Sequence, residues 1–299
     1  MNILGTIKDF LRGVCMAAAD SVPGVSGGTI AFLLGFYEKF VASVNDFLLG
    51  KKEKKLAALP FLIKLGLGWV CGFAVCAVVL STVFEANIYA LSSFFLGLTL
   101  LAIPIVIYEE REALKGKLRW GFFTIIGLCI VPLLVQLRGV VNVGDISVIT
   151  LPLALILFVA AILAVSVMVL PGISGSTLLL IFGLYVPLIS AVSAVLHLDF
   201  SCLPALCIFF VGAVVGFALC TKAIRFCFER FRAQTIFMIV GLLIGSFYAI
   251  VKGPETLSVP QEMMTLSTFS IVFFLIGAAI MIVLQVLKCR FEKKSGKTN

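Results

Sequence analysis

Six apolar runs, each close to the length that crosses a bilayer, constrain this chain more than any other feature. They cover residues 56–84, 88–108, 120–137, 203–221, 233–251 and 269–287. A spanning helix needs about 20 predominantly apolar residues, so each run is read as one transmembrane helix. Two further apolar regions, 7–49 and 148–198, are interrupted in the middle. "DSVPGVSGGT" over 20–29 breaks the first, and "LPGISGST" over 170–177 breaks the second. Proline removes a backbone donor, so each break frees polar backbone at membrane depth. Such backbone persists only where protein surrounds it or where it lines a wet cavity. The whole chain agrees with this reading: 62% of its 299 residues are hydrophobic and only 13% charged. A soluble domain carries about 25% charged residues, so a soluble fold is excluded, as are disorder and a disulfide-stapled scaffold.

The two breaks are one motif used twice. Pro23-Gly24-Val25-Ser26-Gly27-Gly28-Thr29 aligns with Pro171-Gly172-Ile173-Ser174-Gly175-Ser176-Thr177 at an offset of 148. The same offset pairs Gly35-Phe36-Tyr37 with Gly183-Leu184-Tyr185, and Gly68 with Gly216. Residues 1–145 and 146–299 are therefore expected to be two copies of one unit. Each copy is a broken hairpin followed by three spanning helices. The predicted fold class is an all-α polytopic membrane protein with an inverted-topology repeat and re-entrant hairpins.

Charge orients the chain. Linkers at 51–55, 111–119, 222–232 and 288–297 hold 4, 4, 4 and 5 basic residues, while the opposite linkers hold almost none. The positive-inside rule puts the basic linkers, and with them both termini, in the cytoplasm. Three crossings per half is an odd number, so the second half is inserted upside down. The two hairpin loops then meet near the midplane, where secondary transporters with inverted repeats hold their substrates. Residues 148–169 alone are long enough to span. If they did, the second loop would reach the cytoplasmic surface and the symmetry would fail. The net charge of +8 comes from these short clusters, so no nucleic-acid partner is expected. Lys8, Asp9 and Arg12 interrupt any signal-peptide core. The nine cysteines are scattered, without metal-ligand spacing, and are read as small buried apolar residues; neither a metal nor a cofactor is expected.

The breaks carry the candidate chemistry. Ser26 and Ser174 are good N-cap residues, and the glycines after them expose backbone N–H groups. Unpaired first-turn donors favour anions. Ser26, Gly27, Gly28 and Thr29, with Ser174, Gly175, Ser176 and Thr177, are thus read as a cradle for a phosphate or carboxylate. Arg12 can add a fork of donors. Asp20 and Glu38 are candidates for proton coupling or for charge pairing, with Arg12 and Asp20 as one possible pair. The second half has Ala160, Met168 and Val186 at the corresponding places, so any coupling would be asymmetric. "GVSG" and "GISG" also resemble the serine motif of rhomboid intramembrane proteases. That chemistry needs a histidine base, and the chain's single histidine, His197, is expected near the outer surface. Nothing in the sequence looks like a channel selectivity filter.

"RGVCMAAADSVPGVSGGTIAFLLGFYE" over 12–38, taken with "LPGISGSTLLLIFGLY" over 170–185, resembles the bacterial and archaeal polyprenyl-phosphate transporter family PopT, first catalogued as a domain of unknown function. The resemblance covers essentially the whole chain. It implies a flippase that returns undecaprenyl phosphate, or a related lipid carrier, across the cytoplasmic membrane for envelope synthesis. Its partners would be that lipid and the surrounding membrane lipids. Two alternatives stay open at this stage: a small organic-anion or phosphate transporter, and an intramembrane serine hydrolase.

Overall fold

The computed structural model describes residues 3–20, 26–83, 87–137, 146, 149–172, 175, 178–179, 182–196, 198–256 and 260–294. Among these residues all regular structure is helical. Helix α1 is Ile3–Asp20, α2 Gly27–Leu33, α3 Tyr37–Leu49, α4 Lys52–Val83, α5 Ile88–Glu109 and α6 the single turn Arg111–Leu114. Then come α7 Phe122–Gln136, α8 Leu151–Val169, α9 Tyr185–Leu196, α10 Leu203–Arg230, α11 Arg232–Val251 and α12 Ile271–Lys294.

Six helical stretches are long and apolar enough to cross a membrane: Lys52–Phe73, Ile88–Glu109, Leu118–Gln136, Leu151–Val169, Leu203–Arg230 and Arg232–Val251. Five of them fall on the expected runs. The sixth expected run corresponds to α12, whose apolar part by this measure is the shorter Ile271–Val283. In its place α8 qualifies, because its 19 residues are unbroken up to Val169. Large apolar side chains such as Leu67, Phe210 and Val272 stand exposed on helix flanks. In water that surface would be costly; in lipid it costs nothing. The chain is a multi-pass membrane protein. The same environment corrects one expectation: Cys15, Cys71, Cys129 and Cys207 are exposed on those flanks rather than buried.

The sequence offset of 148 reappears in the backbone. Helix α1 begins at Ile3 and α8 at Leu151; α3 begins at Tyr37 and α9 at Tyr185. The turns before α3 and α9 match bond for bond. The Phe36 N–H donates to the Ala31 carbonyl, and the Leu184 N–H donates to the Leu179 carbonyl. In each turn a glycine takes the left-handed conformation that closes such a helix end, Gly35 at φ 67° and Gly183 at φ 63°.

Packing then interlaces the halves. Helix α1 lies along α4, and α8 along α10, whereas α7 packs on α11 and α12 on α5. Helix α7, from residues 1–145, therefore seats on α11, and α12, from residues 146–299, on α5. Glycines set the crossing points. A Cβ on Gly68 would collide with the Phe10 carbonyl, one on Gly216 with Ile162, one on Gly241 with Thr124, and one on Gly97 with Phe274. Small residues at such crossings let helix backbones approach closely in a membrane. Successive contacts climb together: Phe10 meets Gly68 and Val14 meets Gly72, while Phe158 meets Gly212 and Ile162 meets Gly216. The partners in these two pairs run parallel. The same holds for α7 with α11, where Thr124 meets Gly241 and Leu128 meets Gly245.

Candidate functional site

The two broken regions touch at their interruptions. Ser26 Oγ donates to the Met168 carbonyl at 3.1 Å, and the Gly172 N–H donates to Thr29 Oγ1 at 2.7 Å. Ser26 and Thr29 are both buried. Gly28, between them, has no room to be larger, because a Cβ there would sit 2.7 Å from the Val169 carbonyl. Gly172 adopts φ +92°, and a Cβ there would lie 2.6 Å from the Leu242 carbonyl. Small residues in both breaks are thus a steric condition for the contact.

Local chemistry builds the first side of this junction. Ser26 is extended and caps α2, its Oγ accepting from the Gly28 N–H at 3.1 Å. The Gly27 N–H donates to Asp20 Oδ1 at 2.6 Å, and the indole N–H of Trp69 donates to Asp20 Oδ2 at 2.9 Å. Two of the donors expected to be free for an anion are therefore engaged: the Gly27 N–H by a carboxylate belonging to the chain, and the Gly28 N–H by the capping serine.

Height along the neighbouring helices locates the junction. An α-helix rises about 1.5 Å per residue, so Trp69 lies about 25 Å along an α4 that is about 48 Å long. On the other side Ser166 Oγ donates to the Gly216 carbonyl at 3.4 Å, and Cys220 Sγ donates to the Ser166 carbonyl at 3.0 Å. Gly216 is about 20 Å along an α10 that is about 42 Å long. The first break thus meets α4 near half height through Trp69, while the second begins at Leu170, which lines a pocket with Cys220 and Ile224 about 26–32 Å along α10. A cavity of about 430 Å³ lies against the junction. Asp20, Gly28, Met168 and Val169 form its inner end, Trp69 and Val70 of α4 one side, and Phe217 of α10 the other.

The remaining expected site residues are dispersed. Arg12 is eight residues before Asp20, about 12 Å along the same helix. Its guanidinium donates to Asp9 at 2.9 Å and stacks over Phe36 at 4.6 Å, so it pairs with Asp9 and not with Asp20. Glu38 is half-exposed and bonds Arg232 at 2.9 Å; Arg232 also binds Glu110 at 2.7 Å. Together with Asp46–Arg225 at 2.9 Å, these ion pairs fasten α3 to α10 and α11 at one end of the molecule. Gly175 is buried, and a Cβ there would meet the Ala164 carbonyl at 3.0 Å. Ser174, Ser176, Thr177 and His197 lie outside the described residues.

Trp69, the Met168 carbonyl and the Gly172 N–H join the junction without having been singled out by sequence. Trp69 carried one signal: it is one of only two tryptophans and sits inside an apolar run. The carbonyl and the N–H carried none, since backbone groups are the same at every residue.

Comparison with known proteins decides the family. A profile of the VCA0040-like family, described as undecaprenyl phosphate translocase-like, matches residues 16–268. The chain belongs to that family. The matched span contains both breaks, the junction and the cavity. A relative from Vibrio cholerae named polyprenyl-phosphate transporter is 32% identical over 271 residues, covering 86% of this chain and 80% of that protein. A second, from Staphylococcus aureus and bearing the same name, is 29% identical over 249 residues, covering 83% of this chain and 87% of that one. No solved structure gives a significant match.

Proposed function

We propose that this protein moves a polyprenyl phosphate, such as undecaprenyl phosphate, across the cytoplasmic membrane and so recycles the lipid carrier for envelope synthesis. The observation that carries the proposal is the junction, where two matching breaks bond to one another beside a cavity. The family match and the two relatives named polyprenyl-phosphate transporter support the choice of lipid.

The architecture we infer is an inverted-topology repeat of residues 1–145 and 146–299, with re-entrant hairpins and cytoplasmic termini. Counting crossings from the basic linkers makes α1, α4, α7 and α11 run outward, and α5, α8, α10 and α12 inward. The pairs α1–α4, α8–α10, α7–α11 and α5–α12 then each join two helices of the same predicted direction. Transfer of a phosphate headgroup through about 30 Å of hydrocarbon is prohibitive without polar partners. The junction offers such partners inside the helix bundle. Substrate phosphate would compete with the Asp20 carboxylate for the Gly27 and Trp69 donors, since two anions repel at one site. Access therefore requires Asp20 to take a proton or turn aside. Ser26, Gly28 and Thr29 hold one edge of the seat, and Ser174, Gly175, Ser176 and Thr177 are proposed as further phosphate ligands. Arg12, about 12 Å nearer the proposed cytoplasmic side, would be the next cation met by a departing phosphate. The exposed Glu38 links the hairpin to Arg232 and belongs to the fastening at that end. Gly35 and Gly183 would serve as hinges. As a serine nucleophile Ser26 is poorly placed, because its hydroxyl already caps α2 and bonds Met168.

The test is reconstitution of the full chain in proteoliposomes carrying undecaprenyl phosphate in one leaflet. Transfer to the other leaflet is expected for the unaltered protein. It should be lost in Arg12→Ala, and it should lose its pH dependence in Asp20→Asn. Uptake of inorganic phosphate or small carboxylates without lipid transfer would replace this reading with the small-anion one. Fluorophosphonate labelling of Ser26 would replace it with the hydrolase.

A further inference from the structure

Resting on the lipid-phosphate reading, we infer that the cavity between α4 and α10 is the seat of the first isoprene units, and that Gly66 is its threshold. Four observations meet there. Asp20 is the one charged side chain among the cavity's lining residues, and the rest of the wall is apolar side chain and glycine. A wall of this kind gives a free small anion nothing to bind but suits a hydrocarbon chain. The inner end is the junction itself, so a chain lying in the cavity would bring its headgroup to the Gly27, Trp69 and Gly172 donors. The outer end is formed by Gly66 and Val70, both exposed on a flank of α4 that also presents Leu67. That flank is apolar, so whatever enters past it arrives from lipid rather than from water.

Gly66 differs from the glycines that hold the helices together. A Cβ on Gly13, Gly68 or Gly72 would strike the backbone of a neighbouring helix, whereas one on Gly66 meets nothing within 4 Å. Close packing therefore does not require glycine at 66. Its absent side chain leaves the mouth of the cavity open. Met16, Phe40 and α4 line the cavity from one part of the chain, and Met168, Val169 and Phe217 from the other, so it touches both. A chain held there keeps its far end in the bilayer while its headgroup is passed between the halves. Only the part nearest the phosphate needs protein around it, which makes the seat indifferent to total chain length.

The experiment uses the full chain in nanodiscs with Trp120→Phe, which leaves Trp69 as the single tryptophan, inside the cavity wall. Undecaprenyl phosphate is titrated and Trp69 emission recorded. The expected result is a saturable change that inorganic phosphate does not reproduce. Gly66→Phe should weaken the apparent affinity at least tenfold and slow lipid transfer. Leu67→Phe, which adds bulk to the same helix outside the cavity, should leave both unchanged. Equal responses from Gly66→Phe and the unaltered protein would overturn the seat while leaving the transport reading intact, as would an equal emission change with phosphatidylglycerol, which marks a bulk acyl chain only. No saturable response and no lipid transfer by the unaltered protein would instead overturn the transport reading beneath it. Thermal unfolding of both variants checks that neither effect comes from misfolding.

Discussion

Replacing Thr29 by Val removes one hydroxyl and keeps the shape of the side chain. The Gly172 N–H then loses its 2.7 Å acceptor. Both residues are buried, so water does not take over that bond without the site opening. Leaving a buried donor unpaired costs about 1–3 kcal/mol. Interhelical hydrogen bonds within membranes average nearer 0.6 kcal/mol, because the separated helices find other partners. About 1–2 kcal/mol is the working figure, and it corresponds to roughly a 5- to 30-fold shift between joined and parted breaks. For a chain of this size each kcal/mol moves the unfolding midpoint by about 2–4 °C. Thr29→Val is therefore expected to melt a few degrees below the unaltered protein in a single detergent, followed by fluorescence-detected size exclusion. Thr235→Val is the control. Its hydroxyl is exposed and bonds only the Phe231 carbonyl of its own helix end, so its change should stay within about 0.5 kcal/mol. If Thr29→Val melts together with Thr235→Val and the unaltered protein, the two breaks are not joined as described. The transport consequence is separable. A looser junction should alter the rate of lipid transfer in proteoliposomes even at temperatures where the fold is intact.

Trp69→Phe keeps a ring to stack on Phe73 but removes the donor to Asp20; it should alter the pH profile of lipid transfer while lowering the melting temperature only slightly. Gly97→Val would drive a Cβ into the Phe274 backbone and should prevent recovery of folded protein, whereas Gly66→Ala, with open space around it, should melt at or slightly above the unaltered protein. Glu38→Gln breaks one arm of a half-exposed network and should cost well under 1 kcal/mol, an effect that 0.5 M salt should largely erase in the unaltered protein as well.

Much of this was legible from residue order. The apolar runs marked the helices because lipid demands length and apolarity from each crossing segment separately. The offset of 148 held down to single hydrogen bonds, since Gly35 and Gly183 both supply the left-handed residue that their turns need. Ser26 was readable as a cap because capping is a local transaction between a side chain and its own helix. The partners of charged residues were not readable in the same way. Arg12 stood eight residues from Asp20 and bonded Asp9, one helical turn away, where an intrahelical pair needs no tertiary partner. Glu38 met Arg232 across 194 positions of sequence. Nothing local encodes such a distance.

Residue order alone therefore determined the all-helical membrane class, the recurring 148-residue offset, the places where the helices break and the family. Those properties depend on composition and spacing along one segment at a time. Tertiary structure alone decided that the breaks bond to each other, that Asp20 takes the Gly27 donor an anion would use, that α7 seats on α11 and α12 on α5, and that Gly66 borders open space while Gly68 does not. Each of these depends on which backbone arrives from a distant part of the chain, and a glycine looks the same in sequence whether its missing side chain admits a helix or leaves a doorway.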